Sequence, residues 1–208
     1  DEKAAEVSEL KLTKDNKEVV TLYANGNAFD KDGNQISSGT LTLTAKFKDQ
    51  YGNELTGKVA GTDYTFESLN PEVLVVAPDG SVTPIVPGTA LVKVKYGEVT
   101  KTIPVTVKAN PVLETIAVDS TGVSVAKGQK ATFKVTLKDQ YGNKFTGNVN
   151  VTSDKTETAT VSVSNSGIGQ SEYTVTVNGV AEGSTTITIK SGTKEVKVPV
   201  NVVAGGPV

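Results

Sequence analysis

Asp30-Lys31-Asp32-Gly33-Asn34 sets three oxygen-bearing side chains at alternate positions. Hard cations favour such ligands, so Asp30, Asp32 and Asn34 are the candidate calcium ligands of this chain. The glycine is misplaced for an EF-hand loop, and Leu41 stands at the twelfth position, where that loop needs Glu. The competing reading is an Asp-Gly hairpin turn. Two segments, Ser8-Glu9-Leu10-Lys11 and Ser191-Gly192-Thr193-Lys194, match the spacing of a serine–lysine nucleophile. That chemistry needs both groups on one helical turn with a desolvated Lys. Both segments read as strand or turn, so they are assigned to structure. Asn150-Val151-Thr152 has the form of a glycosylation sequon and also reads as strand. No catalytic or cofactor-binding residue is assigned, and the chain is not expected to be an enzyme.

What is missing narrows the chemistry further. The 208 residues contain no His, Cys, Met or Trp, and all 21 cations are Lys. Ordinary zinc sites, disulfides, haem ligands and Cys–His or Ser–His nucleophiles are therefore excluded. With 23 acids the net charge is −2, and there is no Arg, so no nucleic-acid partner is expected. No apolar run approaches the ~20 residues that span a bilayer, so no membrane partner is expected. The chain opens on Asp1 rather than Met and shows no signal peptide, which predicts a fragment of a longer or processed protein.

The elements that position these residues read as strands. There are 32 Val and 28 Thr, both β-branched and suited to a pleated surface. Leu41–Lys48 alternates apolar and polar residues, and Ala131–Lys138 repeats the pattern, as do Val92–Tyr96 and Thr186–Lys190. The chain also repeats itself. Lys48-Asp49-Gln50-Tyr51-Gly52-Asn53 returns 90 residues later as Lys138-Asp139-Gln140-Tyr141-Gly142-Asn143. Further along, Ile103-Pro104-Val105 returns as Val198-Pro199-Val200 at an offset of 95, predicting about five extra residues in the second copy near Ser162–Ser171. The first copy carries an insertion near 25–38. Asp-Gln-Tyr-Gly-Asn reads as a turn capped by its Asp, with positive φ available at Gly and tolerated by Asn. Proline inside the last strand predicts an edge strand or a bulge.

Each copy is about 100 residues long with seven or so short strands, the size and rhythm of an immunoglobulin-like β-sandwich. The expected fold is all-β: one sandwich over 1–108 and a second over 111–203. A short stiff linker ending at Pro111 joins them, and residues 204–208 form a tail or linker.

Asn70-Pro71-Glu72-Val73, Val75-Val76-Ala77-Pro78-Asp79-Gly80-Ser81-Val82-Thr83 and Pro87-Gly88-Thr89-Ala90-Leu91-Val92 resemble the group-2 bacterial immunoglobulin-like domain. The second copy keeps Ala159-Thr160-Val161 and Ala181–Thr188, but replaces the tight Asp-Gly turn with Ser164–Gly169. With its Asp-x-Tyr-Gly-Asn element, all-Lys cations and absent Cys, the chain resembles the immunoglobulin-like tails of Gram-positive surface-layer proteins. The resemblance implies an extracellular, cell-wall location and a structural building block acting as rigid spacer and lattice-contact module. Its partners would be other copies of the parent protein and neighbouring domains of the same chain. It also keeps calcium in play as a cofactor, since such lattices often use it. The alternative is an adhesin or carbohydrate-binding accessory module, for which Tyr51 and Tyr141 are the best-placed aromatics. Some Gram-positive domains of this fold carry a Lys–Asn crosslink, which needs a buried Lys; no Lys here breaks into an apolar face.

Overall fold

The computed structural model describes residues 1–205, so the last three residues of the expected 204–208 tail lie outside the described residues. The chain divides into two units, Asp1–Asn110 and Pro111–Val208.

Strands of the first unit alternate buried and exposed side chains because apolar residues occupy every second position. They are β1 (Ala4–Lys14), β2 (Lys17–Glu18), β3 (Thr21–Tyr23), β4 (Ala28–Phe29), β5 (Thr42–Asp49), β6 (Thr65–Ser68), β7 (Leu74–Val76), β8 (Val82–Pro84), β9 (Gly88–Tyr96) and β10 (Val99–Lys108). One layer holds β2-β1-β5, with the β7-β8 hairpin tied to β5 by the Thr42–Ser81 bridge and the bond from Leu43 N–H to Gly80 O. The other layer runs β4-β3-β10-β9-β6. Leu22, Leu43, Leu74, Val92, Val94 and Val107 fill the space between them.

The second unit comprises β11 (Leu113–Val118), β12 (Val123–Ala126), β13 (Lys130–Asp139), β14 (Asn150–Ser153), β15 (Ala159–Val163), β16 (Glu172–Gly179), β17 (Gly183–Ser191) and β18 (Lys194–Val203). Its layers are β11-β13-β16-β15 and β12-β18-β17-β14. Val135, Leu137, Val175, Val177, Ile187 and Ile189 are wholly buried between them. Among the described residues the strands pair antiparallel except β3 with β10 and β12 with β18. Both units are therefore two-layer sandwiches of immunoglobulin type.

Register locates the differences between the copies. Thr65 and Asn150 both pair with the Lys of a matching strand, Lys95 and Lys190. Between Gly57 and Thr65 the first unit has seven residues, where the second has two between Gly147 and Asn150. Val76 pairs with Val82 across five intervening residues, and Val161 pairs with Val177 across fifteen. The apparent gain of about five is thus the net of a ten-residue extension and a five-residue loss. The extension lengthens the β15–β16 hairpin, whose tip at Ser164–Gly167 turns through left-handed Asn165 and Ser166.

Pro104 and Pro199 differ from expectation. Their strands are internal to the sheet order and unbulged. The neighbour on the outer side begins only at Val107 in one case and Val200 in the other. No strand pairs on the outer side where proline lacks a donor, so no ladder bond is lost.

An aromatic corner of Phe47, Tyr64, Phe66 and Tyr96 closes one end of the first core, with Tyr64 and Tyr96 stacked at 5.9 Å. Register puts Leu137, Val149, Val151 and Ser191 at these places in the second unit. The smaller side chains admit the Gly147–Asn148 segment, held by the Tyr173 and Ser191 hydroxyls donating to the carbonyls of Gly147 and Asn148.

Gly80 sits at φ +97, and a Cβ there would lie 2.7 Å from Leu43 O and 3.1 Å from the Phe66 ring. Gly97, at φ +58, has open space. Gly80→Ala is expected to destabilise the first unit by about 3 kcal/mol and Gly97→Ala by about 1 kcal/mol, read by urea unfolding. Equal costs would contradict the packing described.

Candidate functional site

The repeated Asp-Gln-Tyr-Gly-Asn segment closes a hairpin in both units. Asp49 Oδ1 accepts the N–H groups of Tyr51 and Asn53, each at 2.9 Å, and Asp139 Oδ1 accepts those of Tyr141 and Asn143 at the same distances. The backbone adds Gly52 N–H to Asp49 O and Asp49 N–H to Asn53 O, again duplicated at Asp139. Glycine alone takes positive φ, at +81 in Gly52 and +80 in Gly142. Both Asp residues are buried at the ends of β5 and β13, while Tyr51 is 71% and Tyr141 37% exposed. A buried carboxylate is tolerable here because one oxygen holds two amides.

Asp30-Lys31-Asp32-Gly33-Asn34 proves to be a third copy of this turn. Asp30 Oδ1 accepts from Asp32 N–H at 2.9 Å and Asn34 N–H at 3.0 Å, Asp30 N–H donates to Asn34 O, and Gly33 lies at φ +79. The three candidate calcium ligands thus sit together in one hairpin, with an oxygen of the first engaged by the backbone. The Asp32 position is filled by Tyr in the other two turns. Among the described residues no group of three or more acidic, His or Cys side chains is placed to hold a metal.

The remaining candidates fall on structural positions. Ser191 is buried and its hydroxyl donates to Asn148 O at 2.6 Å, while Lys194 lies across the hairpin from it. Ser8 and Lys11 lie on β1, and Lys11 pairs with Glu9 at 3.2 Å. Asn150 is exposed on the edge strand β14. Every Lys among the described residues is at least partly exposed. A groove of about 580 Å³ on the second unit runs between Gly122, Asp154, Thr186 and Pro199, beside the start of the β12–β18 pairing.

Local electrostatics is weak. A hydrogen bond and the charge of Lys144, 2.9 Å away, hold the exposed Glu172 carboxyl below its usual range. Bonds from Ser81 do the same for Asp79 at its turn. Burial, with Asp63 nearby, raises the Tyr64 hydroxyl.

The bacterial Ig-like domain family matches residues 62–109. A crystal structure of domains 4 and 5 of the S-layer protein SbsC is 89% identical, with a TM-score of 0.79, covering 93% of this chain and 99% of that one. The chain belongs to the immunoglobulin-like domains of S-layer proteins. The S-layer protein Sap of Bacillus anthracis is 33% identical over 131 residues, 58% of this chain. The match spans 16% of the length of that curated relative.

Asp139→Ala strands two amides of the turn and is expected to cost about 2–3 kcal/mol in urea unfolding, while Asp139→Asn, which keeps an acceptor, costs about 1 kcal/mol. Because the folded Glu172 carboxyl is held low, its contribution is present above the ordinary carboxylate range and is lost as pH falls through its folded value. Lys144→Ala should therefore lower stability slightly at neutral pH and leave it unchanged in strong acid. A penalty that persists in acid would contradict this.

Proposed function

We propose that these two sandwiches are a structural module of an extracellular bacterial surface array, acting as spacer and lattice-contact element among copies of the parent protein. The observation that carries this reading is the 89% identity, over nearly the whole chain, to domains 4 and 5 of an S-layer protein. The surface fits the role. Outward strand positions carry Thr, Lys and Asn, as in Lys130, Thr132, Lys134, Thr174, Thr176 and Asn178. Such faces make modest polar contacts that keep the free chain soluble, and a lattice multiplies weak contacts through avidity. On this reading the work is done by shape rather than by turnover.

The test is removal of both units from the parent protein, followed by electron microscopy of the assembled sheets. The expected result is lost order or an altered lattice spacing. Sheets of unchanged order and spacing would overturn the proposal. Replacing both Tyr51 and Tyr141 by Ala should leave retention on isolated cell walls unchanged; loss of retention with intact folding would favour a carbohydrate-binding role instead.

A further inference from the structure

The glutamine of the repeated turn does a second job in both units. Gln50 Oε1 accepts from Lys3 N–H at 3.0 Å, and its Nε2 donates to Asp1 O at 2.8 Å. Gln140 Oε1 accepts from Val112 N–H at 2.8 Å. Lys3 and Val112 are equivalent, each lying one residue before the first strand pair of its unit, Ala4 with Asp49 and Leu113 with Asp139. Both ladders then slip register at the next step, between Ala4 and Glu6 and between Leu113 and Thr115. The side-chain amide therefore acts as one further rung of the sheet, holding the segment that enters the domain at the point where the main-chain ladder is irregular.

We infer that the Asp-Gln-Tyr-Gly-Asn turn is the linker clamp of this repeat, with Gln50 and Gln140 as the binding groups for the backbone that leads into each sandwich. The buried Asp fixes the turn, and the turn presents the glutamine. A complementary hold exists where the chain leaves the first unit. Asn110 Oδ1 accepts from Asn25 N–H at 2.7 Å, and Ala24 N–H donates to Lys108 O at 2.9 Å. Asn25 belongs to the segment present only in the first copy, which thereby acquires a purpose. Asn110 is bound to its own unit and Val112 to its own, leaving Pro111 between the two held residues. Proline fixes its own φ and keeps the preceding residue extended.

The test is amide exchange and ¹⁵N relaxation on the intact two-unit chain. Gln140→Leu removes the acceptor at similar size, whereas Gln140→Glu retains it. The expected result for Gln140→Leu is roughly fivefold to tenfold faster exchange at Val112 and a lower order parameter there, with core amides of the second unit unchanged. Gln140→Glu should keep Val112 protected. Gln50→Leu should produce the same acceleration at Lys3. Unaltered exchange at Val112 in Gln140→Leu, or equal loss of protection in Gln140→Glu, would overturn the inference. None of these readouts requires a lattice, so they stand or fall apart from the array proposal.

Discussion

A buried carboxylate with two amide donors on one oxygen is the constraint on which each sandwich turns. Asp49 and Asp139 end β5 and β13 inside the fold, where an unpartnered polar group would be costly. They are satisfied by a hairpin closed over five residues, with glycine left-handed at the fourth. That geometry returns the chain to pair with β5 or β13 and places a glutamine beside the incoming segment. Turn, register and entry point follow from one group.

The two units show how much can vary around this constraint. The aromatic corner of the first is replaced in the second by aliphatic side chains and a serine, and loops differ by five and ten residues. Many buried positions stay apolar while their volumes change, as Leu137 for Phe47, and a few turn polar, as Thr185 for Ala90 and Ser191 for Tyr96. A module whose task is shape tolerates such exchange, since what it must conserve is strand spacing and the hold at its ends.

Much of this was legible in the sequence. Alternation in Leu41–Lys48 and Ala131–Lys138 has one physical reading, a sheet with one wet face, and the structure buries Leu43, Phe47, Phe133, Val135 and Leu137 accordingly. The capping role of Asp49 and Asp139 followed from side-chain reach alone. The third turn was harder to see, because Lys31 and Asp32 replace Gln and Tyr, and a second acid makes the segment look like a cation loop. Two length changes of opposite sign left only their net in the offset. Pro104 sits in an internal strand because a neighbouring strand can be shorter than the one it flanks, which no local pattern reports. The clamp depends on a side chain meeting backbone 28 to 49 residues away, and spacing in sequence carries no trace of that.

The most direct measurement of the central claim is native-state hydrogen exchange at the turn amides of Tyr51, Asn53, Tyr141 and Asn143. If the buried carboxylates organise each unit, these surface-turn amides exchange only when the whole unit unfolds, with the same free energy as core amides such as those of Val94 and Val175. Exchange at the rate of an open loop, while the core stays protected, would contradict the account.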